Sequence, residues 1–374
     1  MTSYARIIMN LEKISFIPTD NYVKTLGRTF MLEDCRVLSL SGSGIEFKYN
    51  GTGLTVTFYG DSTTETPDND PEPWRDQARV AVYVDGILQL DTVIKKPKEI
   101  FEVCGFEEGA AAAEHIVRII KLSEPRMSTT GLGEITIIAD GPAHPTEYKK
   151  KYIEFIGDSI TCGYGIDVPN ELHPFSTGTE NVAKAFSYKT AQKLDADASI
   201  VSYSGHGLIS GYTPDPNVPK LEELIQPYYD IFAYSYNTFR GLTMQDRKWD
   251  FKAERKPDMI VINIGTNDDS YVQDDEAKRN AFKAAYVSFL EKVHDLNPET
   301  KIIIAFGLMG DRLYETEVEA ADIFKLKSGF DDIYTVHITP QDFEKNGYGA
   351  DYHPSAISHE LAACELSEFI KNNF

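Results

Sequence analysis

Between about residues 28 and 141 apolar and polar positions alternate with period two. Ile45, Phe47 and Tyr49 are separated by Glu46 and Lys48, and Leu54, Val56 and Phe58 by Thr55 and Thr57. Between these runs Asn50-Gly51-Thr52-Gly53 predicts a break. Val80, Val82 and Val84 lead to Asp85-Gly86, a tight hairpin signal, and a further strand at 87–90. Strands at 115–122 and 134–139 complete the set. Short alternating strands punctuated by turn residues, with no helical stretch, predict an antiparallel β-sandwich of jelly-roll topology. Residues 63–73, rich in Asp, Glu and Pro, read as a solvated loop. Their carboxylates are hard ligands, but their spacing matches no known calcium loop.

The rhythm changes at Gly141-Pro142-Ala143-His144-Pro145, which divides the chain into 1–145 and 146–374. Beyond it, apolar β-branched runs at 152–156, 199–202, 259–264, 301–306 and 333–338 predict buried strands. Helical periods at 183–194, 276–296 and 355–374 alternate with them. This α/β pattern predicts a flavodoxin-like parallel sheet with helices on both faces. In such sheets reactive groups gather at the carboxyl ends of the strands.

A length of 374 residues suits two domains, and 42% hydrophobic with 25% charged residues is a globular balance. The formal net charge of −21 argues against nucleic acid or anionic lipid as a partner. The longest apolar run, 302–309, falls far short of a membrane span. Residues 1–16 lack the continuous apolar core of a signal peptide. Cys35, Cys104, Cys162 and Cys364 form no C-x-x-C pair, and the eight histidines form no H-E-x-x-H. A cytoplasmic chain with reduced thiols, no metal and no cofactor is expected.

Chemistry collects after the strands. The first is followed by Gly157-Asp158-Ser159-Ile160-Thr161-Cys162-Gly163-Tyr164-Gly165, where a serine hydroxyl can project from a turn and glycines admit a substrate close to the backbone. Thr161 excludes the G-x-S-x-G elbow, and no Gly-Lys-Ser/Thr ending makes this a phosphate loop. Tyr203-Ser204-Gly205-His206-Gly207 follows the second strand and Gly265-Thr266-Asn267-Asp268 the third; Asp351-Tyr352-His353-Pro354 precedes the last helix. Each block alone is an ordinary turn. Together they supply the parts for acyl transfer: Ser159 as nucleophile, His353 as base, and the Ser159 N–H, Gly205 N–H and Asn267 amide as an oxyanion hole.

These blocks resemble the SGNH (GDSL) hydrolase superfamily. The extended Ser159 block, Thr179-Glu180-Asn181, Ser204-Gly205-His206-Gly207 and the His353-Pro354-Ser355 ending resemble carbohydrate esterase family two, as does a jelly roll preceding the hydrolase domain. The resemblance implies removal of O-acetyl groups from plant polysaccharides, acetylated xylan in particular. The superfamily usually places its acid three residues before the histidine, where this chain has Ala350. Asp351 stands two residues before instead, a spacing that family two shares, and is assigned as the orienting acid. A Ser–His dyad oriented by a backbone carbonyl is the alternative.

Tyr212, Tyr236, Phe239 and Trp249 are candidates for stacking on sugar rings, with Tyr212 and Trp249 chosen as substrate contacts. The expected partner is an acetylated xylo- or other oligosaccharide, and self-association is left open. Three rival readings stand beside the esterase: a carbohydrate-binding protein with an idle hydrolase fold, a short-chain lipid esterase, and an acyltransferase.

Overall fold

The computed structural model describes residues 11–65, 76–105 and 112–374. Most of the acidic loop read at 63–73 lies outside the described residues. Among the described residues, eleven strands between Glu12 and Pro145 form one antiparallel sheet. Its spine is the strand Gly44–Tyr59. Residues 44–51 of that strand pair with Ala113–Lys121, and residues 51–59 pair with Thr130–Ala139.

The break read at Asn50 to Gly53 is therefore a correction: the strand runs through it for 16 residues. A Cβ on Gly51 would stand 2.1 Å from the Ile138 carbonyl oxygen, and the pairing register shifts between Ile138 and Ala139. Glycine here permits a close approach at a bulge rather than a reversal. Asp85-Gly86 does make a hairpin. Both residues have positive φ, 53° and 79°, and they join the paired strands Arg79–Val84 and Ile87–Val93. Ile45, Phe47, Val56, Phe58, Val80 and Val82 all turn into a core of this half.

The second half is a parallel sheet. Its strands are β1 (Lys151–Gly157), β2 (Ala196–Ser202), β3 (Met259–Asn263), β4 (Lys301–Phe306) and β5 (Ile333–His337), in the order β2-β1-β3-β4-β5. Ile260 and Ile262 of β3 pack with Phe282 and Tyr286 of the helix Glu276–Leu296 and Phe324 of the helix Tyr314–Ser328. Val261 packs on the opposite face, with Phe186 and Ala191 of the helix Phe186–Lys193 and Leu366 of the helix Ala356–Asn373. Both faces are thus covered, as near-continuous apolar strands require. The helix expected from 183 starts at Phe186, because residues 182–184 form a separate turn capped by Asn181. The helix Tyr314–Ser328 escaped the periodic reading, for Thr316, Glu317, Ala320, Ala321 and Phe324 make a buried stripe too small and polar to mark a face. Among the described residues no helix is long and apolar enough to cross a membrane.

The halves are joined by buried cations. Arg28 is fully enclosed and donates to the carbonyl oxygens of Tyr229 and Ile231 at 2.7 and 2.8 Å and to Glu154 at 3.3 Å. Lys24 meets Asp197 at 2.6 Å. Removing one member of such a pair strands the other in a low-dielectric interior. Arg28→Ala is expected to lower unfolding free energy by about 3–5 kcal/mol in urea titration; a loss under about 1 kcal/mol would show that Glu154 finds other compensation.

Candidate active site

β1 ends at Gly157, and the chain turns at once into the short helix Ser159–Cys162. Asp158 caps that turn, its Oδ1 accepting the Ile160 N–H at 3.0 Å. Burial pushes the Asp158 carboxyl up to about 7. As the first helical residue, Ser159 keeps a backbone N–H with no intrahelical acceptor. Among the described residues it donates to no protein group.

His353 reaches this serine from the loop before the last helix. Its Nε2 lies 2.9 Å from Ser159 Oγ, and its Nδ1 lies 2.8 Å from the backbone oxygen of Asp351. A proton on Nδ1, donated to that carbonyl, leaves Nε2 bare and ready to accept. The loop is seated by the Ala350 N–H donating to the Gly165 carbonyl at 2.8 Å. Gly165 has φ +65°, and a Cβ there would come within 2.7 Å of the Ala350 oxygen, so glycine is required. Tyr164 covers one face of the imidazole, ring centres 4.1 Å apart, and itself stacks on Phe175 at 4.3 Å. Burial lowers the His353 pKa, and the Asp351 carbonyl only partly opposes it.

The Asp351 carboxylate makes no hydrogen bond to the imidazole, though its charge helps the carbonyl to raise the His353 pKa against burial. That group accepts the Tyr164 hydroxyl at 3.0 Å, while the backbone carbonyl orients the ring. The assignment of Asp351 as orienting acid is corrected accordingly. The reason is local: Asp351 and Tyr352 have φ of 51° and 59°, and this left-handed double turn aims the carbonyl inward and the side chain out.

Ser159 and His353 open onto a cavity of about 550 Å³ that Gly205, Asn267, Arg126 and Tyr212 also line. Gly205 has φ +77°, and among the described residues its N–H donates to no protein group. Asn267 Nδ2 lies 2.9 Å from the His206 carbonyl oxygen and 3.2 Å from Asp158 Oδ2, so its amide hydrogens have acceptors within the protein. The chain's neighbouring Asp268 is fully buried and accepts the N–H groups of Leu208, Ile209 and Ser210 at 2.7–3.2 Å. It ties the loop after β2 to the loop after β3.

The aromatic candidates separate. Tyr212 lines the cavity, whereas Tyr236 sits beside it with its hydroxyl 2.8 Å from Arg126 Nε. Phe239 is wholly buried against Gly131 and Cys35. Trp249 is corrected as a substrate contact. It packs at the amino end of the parallel sheet, its ring 5.3 Å from the Arg28 guanidinium, in a hollow lined by Tyr152 and Pro257. The strands' carboxyl ends carry the cavity, so Trp249 faces the wrong end.

A model of the GDSL-like lipase/acylhydrolase family matches residues 155–361. The chain belongs to that family. Among curated relatives, an acetylxylan esterase/glucomannan deacetylase of Cellvibrio japonicus is 30% identical over 82% of this chain and 80% of its own length. The cellulase/esterase CelE of Acetivibrio thermocellus is 31% identical over 88% of this chain, which spans only 38% of that protein's length. Two solved structures share the fold across nearly their whole length. One is an acetyl xylan esterase from the rumen bacterium Butyrivibrio proteoclasticus (TM-score 0.81, 21% identity, 97% of this chain and 98% of that one). The other is a family two carbohydrate esterase from Clostridium thermocellum in complex with cellohexaose (TM-score 0.75, 25% identity, 94% and 98%).

Arg126, which lines the cavity, and Glu124, buried behind it, come from the antiparallel half and escaped the sequence reading, for the turn that carries them follows no strand of the parallel sheet. Glu124, Cys162 and Glu180 bring their donor atoms within 4.8 Å of one another, the one grouping among the described residues that could hold a cation. Burial raises both carboxyls and the thiol, and Lys121 lies buried alongside. That environment suits a protonated cluster with an internal counter-ion better than an anionic ligand set. Cys162 is enclosed, its thiol directed to the Ser159 carbonyl at 3.4 Å.

Two outcomes follow for this site. His353 must be neutral to accept a proton, and its lowered pKa extends the neutral form to more acidic solution. The acid limb of kcat/KM on p-nitrophenyl acetate is expected to have its midpoint below about 6.5, with activity falling as pH drops through it; a midpoint above 7 would contradict the desolvated setting. Replacing a true triad acid by its amide costs about 10⁴-fold. Because the Asp351 carboxylate does not touch the imidazole and asparagine tolerates positive φ, Asp351→Asn is expected to retain activity within about tenfold. A loss on the triad scale would restore Asp351 as the acid.

Proposed function

We propose that this chain is a serine esterase that removes O-acetyl groups from plant-polysaccharide sugars through an acetyl-enzyme. The observation that carries the proposal is the 2.9 Å contact between Ser159 Oγ and a His353 Nε2 left free to accept a proton. The names of the relatives support the acetyl ester as the substrate, and the cavity is roomy enough for a sugar unit with its acetyl group.

In the proposed reaction Ser159 Oγ attacks the acetyl carbonyl carbon while its proton passes to His353 Nε2. The carbonyl oxygen becomes an oxyanion, held by the Ser159 and Gly205 N–H groups. Asn267 joins them by redirecting the hydrogen of its longer bond, the one to Asp158. The bond from acetyl carbon to sugar oxygen then breaks, and His353 returns the proton to the departing oxygen. Water attacks the acetyl-serine, gives its proton to His353, and acetate leaves as Ser159 regains its hydrogen. The Asp351 carbonyl holds the imidazole in one tautomer throughout, and Tyr164 limits its rotation. A jelly-roll arrangement of the antiparallel half and the division at residue 145 belong to the same reading.

On p-nitrophenyl acetate, Ser159→Ala and His353→Ala are expected to lose at least about 10⁴-fold in kcat. Asn267→Ala is expected to lose about 10²–10³-fold while remaining folded. Turnover near wild type in any of the three would remove that residue from the mechanism. Acetate release from acetylated xylan and acetylated mannan, set against hydrolysis of octanoate esters, tests the substrate class. A preference for the longer acyl chain would favour a lipid esterase instead.

A further inference from the structure

The peptide between Ser204 and Gly205 is held by one side chain from the other half of the molecule and one from its own loop. Arg126 Nη1 donates to the Ser204 carbonyl at 2.6 Å, and the His206 ring nitrogen Nδ1 lies 3.0 Å from the same oxygen. One residue pair back, Glu124 Oε2 accepts the Ser204 N–H at 2.9 Å. A trans peptide is planar, so its N–H points opposite to its C=O. Fixing the Ser204 carbonyl therefore fixes the direction of the Gly205 N–H. Arg126 is itself braced, with Nη2 on Glu223 at 2.7 Å and Nε on the Tyr236 hydroxyl at 2.8 Å. Gly205 sits where a Cβ would stand 3.1 Å from Glu223 Oε2 and 3.2 Å from Arg126 Nη1, so the clamp closes on the bare backbone.

We propose that Glu124 and Arg126 of the antiparallel half are positioning residues for the oxyanion hole, gripping Ser204 by its N–H and its C=O so that the Gly205 N–H is aimed at the reacting carbonyl. The inference rests on the acyl-transfer reading of Ser159 and His353. It makes the antiparallel half part of the catalytic unit rather than an appendage. Glu124 is wholly buried and lines no part of the cavity, so its substitution tests alignment without touching substrate. Gln keeps an oxygen for the Ser204 N–H; Ala removes it; Asp withdraws it by one methylene.

The experiment measures kcat and KM on p-nitrophenyl acetate and the inhibition constant of phenylboronic acid. The boronate forms a tetrahedral adduct with the serine hydroxyl, one of whose oxygens would occupy the oxyanion position. Glu124→Ala and Glu124→Asp are expected to lower kcat by about 10- to 100-fold, the scale of a misaligned donor, with KM changed less than about threefold. Boronate affinity should weaken by a similar factor, and Glu124→Gln should recover most of both. Should the Ala variant fail to fold, the Asp and Gln variants carry the same comparison. Unchanged kcat in the Asp variant, a rise in KM with boronate affinity intact, or no recovery in the Gln variant would overturn the inference. The underlying reading is tested separately: wild-type enzyme insensitive to the boronate, or turnover in Ser159→Ala, would overturn it whatever Glu124 does.

Discussion

The hydrogen bond between Ser159 and His353 joins residues 194 positions apart, and the proposed chemistry depends on it. It makes three demands on the fold: a hydroxyl raised at a strand's carboxyl end, a neutral imidazole, and a single tautomer. The short capped helix after β1 meets the first. Burial beneath Tyr164 meets the second by disfavouring the charged ring. The Asp351 carbonyl meets the third. In the proposed reaction an imidazolium would be supported by that carbonyl's hydrogen bond and by the Asp351 charge, which acts on the ring without hydrogen-bonding it.

Much structure converges behind Gly205. Asp268 draws three N–H groups of the 208–210 turn inward, Asn267 holds the His206 carbonyl, and Glu124 with Arg126 grips Ser204 from across the joint. Buried charges are costly unless fully paired, but paired ones tolerate only one geometry. Arg28 and Lys24 do the same at the far end of the sheet. Apolar packing crosses the joint as well, since Cys35, Val37 and Leu40 share a cluster with Phe232 and Phe239. The joint is thereby both oily enough to hold and polar enough to specify a register between the halves.

The candidate site was legible to the extent that its chemistry follows strands. Ser159, Gly205 and Asn267 each stand just beyond an apolar β-branched run, and a parallel sheet brings such positions to one edge. Asp351 was misread because two residues of positive φ reverse the direction a side chain takes two positions from its neighbour. Trp249 was misread because an aromatic residue in an irregular segment carries no mark of which end of the sheet it faces. The run from Asn50 to Gly53 looked like a turn because glycine serves a bulge and a reversal equally well. Glu124 and Arg126 had no signal at all: their partners, Ser204, Glu223 and Tyr236, lie 78 to 110 positions away.

By itself, then, the amino-acid order settled the two periods, the elements they build and the reactive side chains at the strand ends, because hydrophobic spacing and turn chemistry act over a few neighbours. Only the tertiary structure decided which atom of Asp351 meets the imidazole, which aromatic rings see the cavity, and that a glutamate side chain and a guanidinium from the antiparallel half hold the loop of Gly205. Those outcomes depend on directions in space between segments remote along the chain, and on the penalty for leaving a buried polar atom without a partner. Neither quantity has a period that a sequence can display.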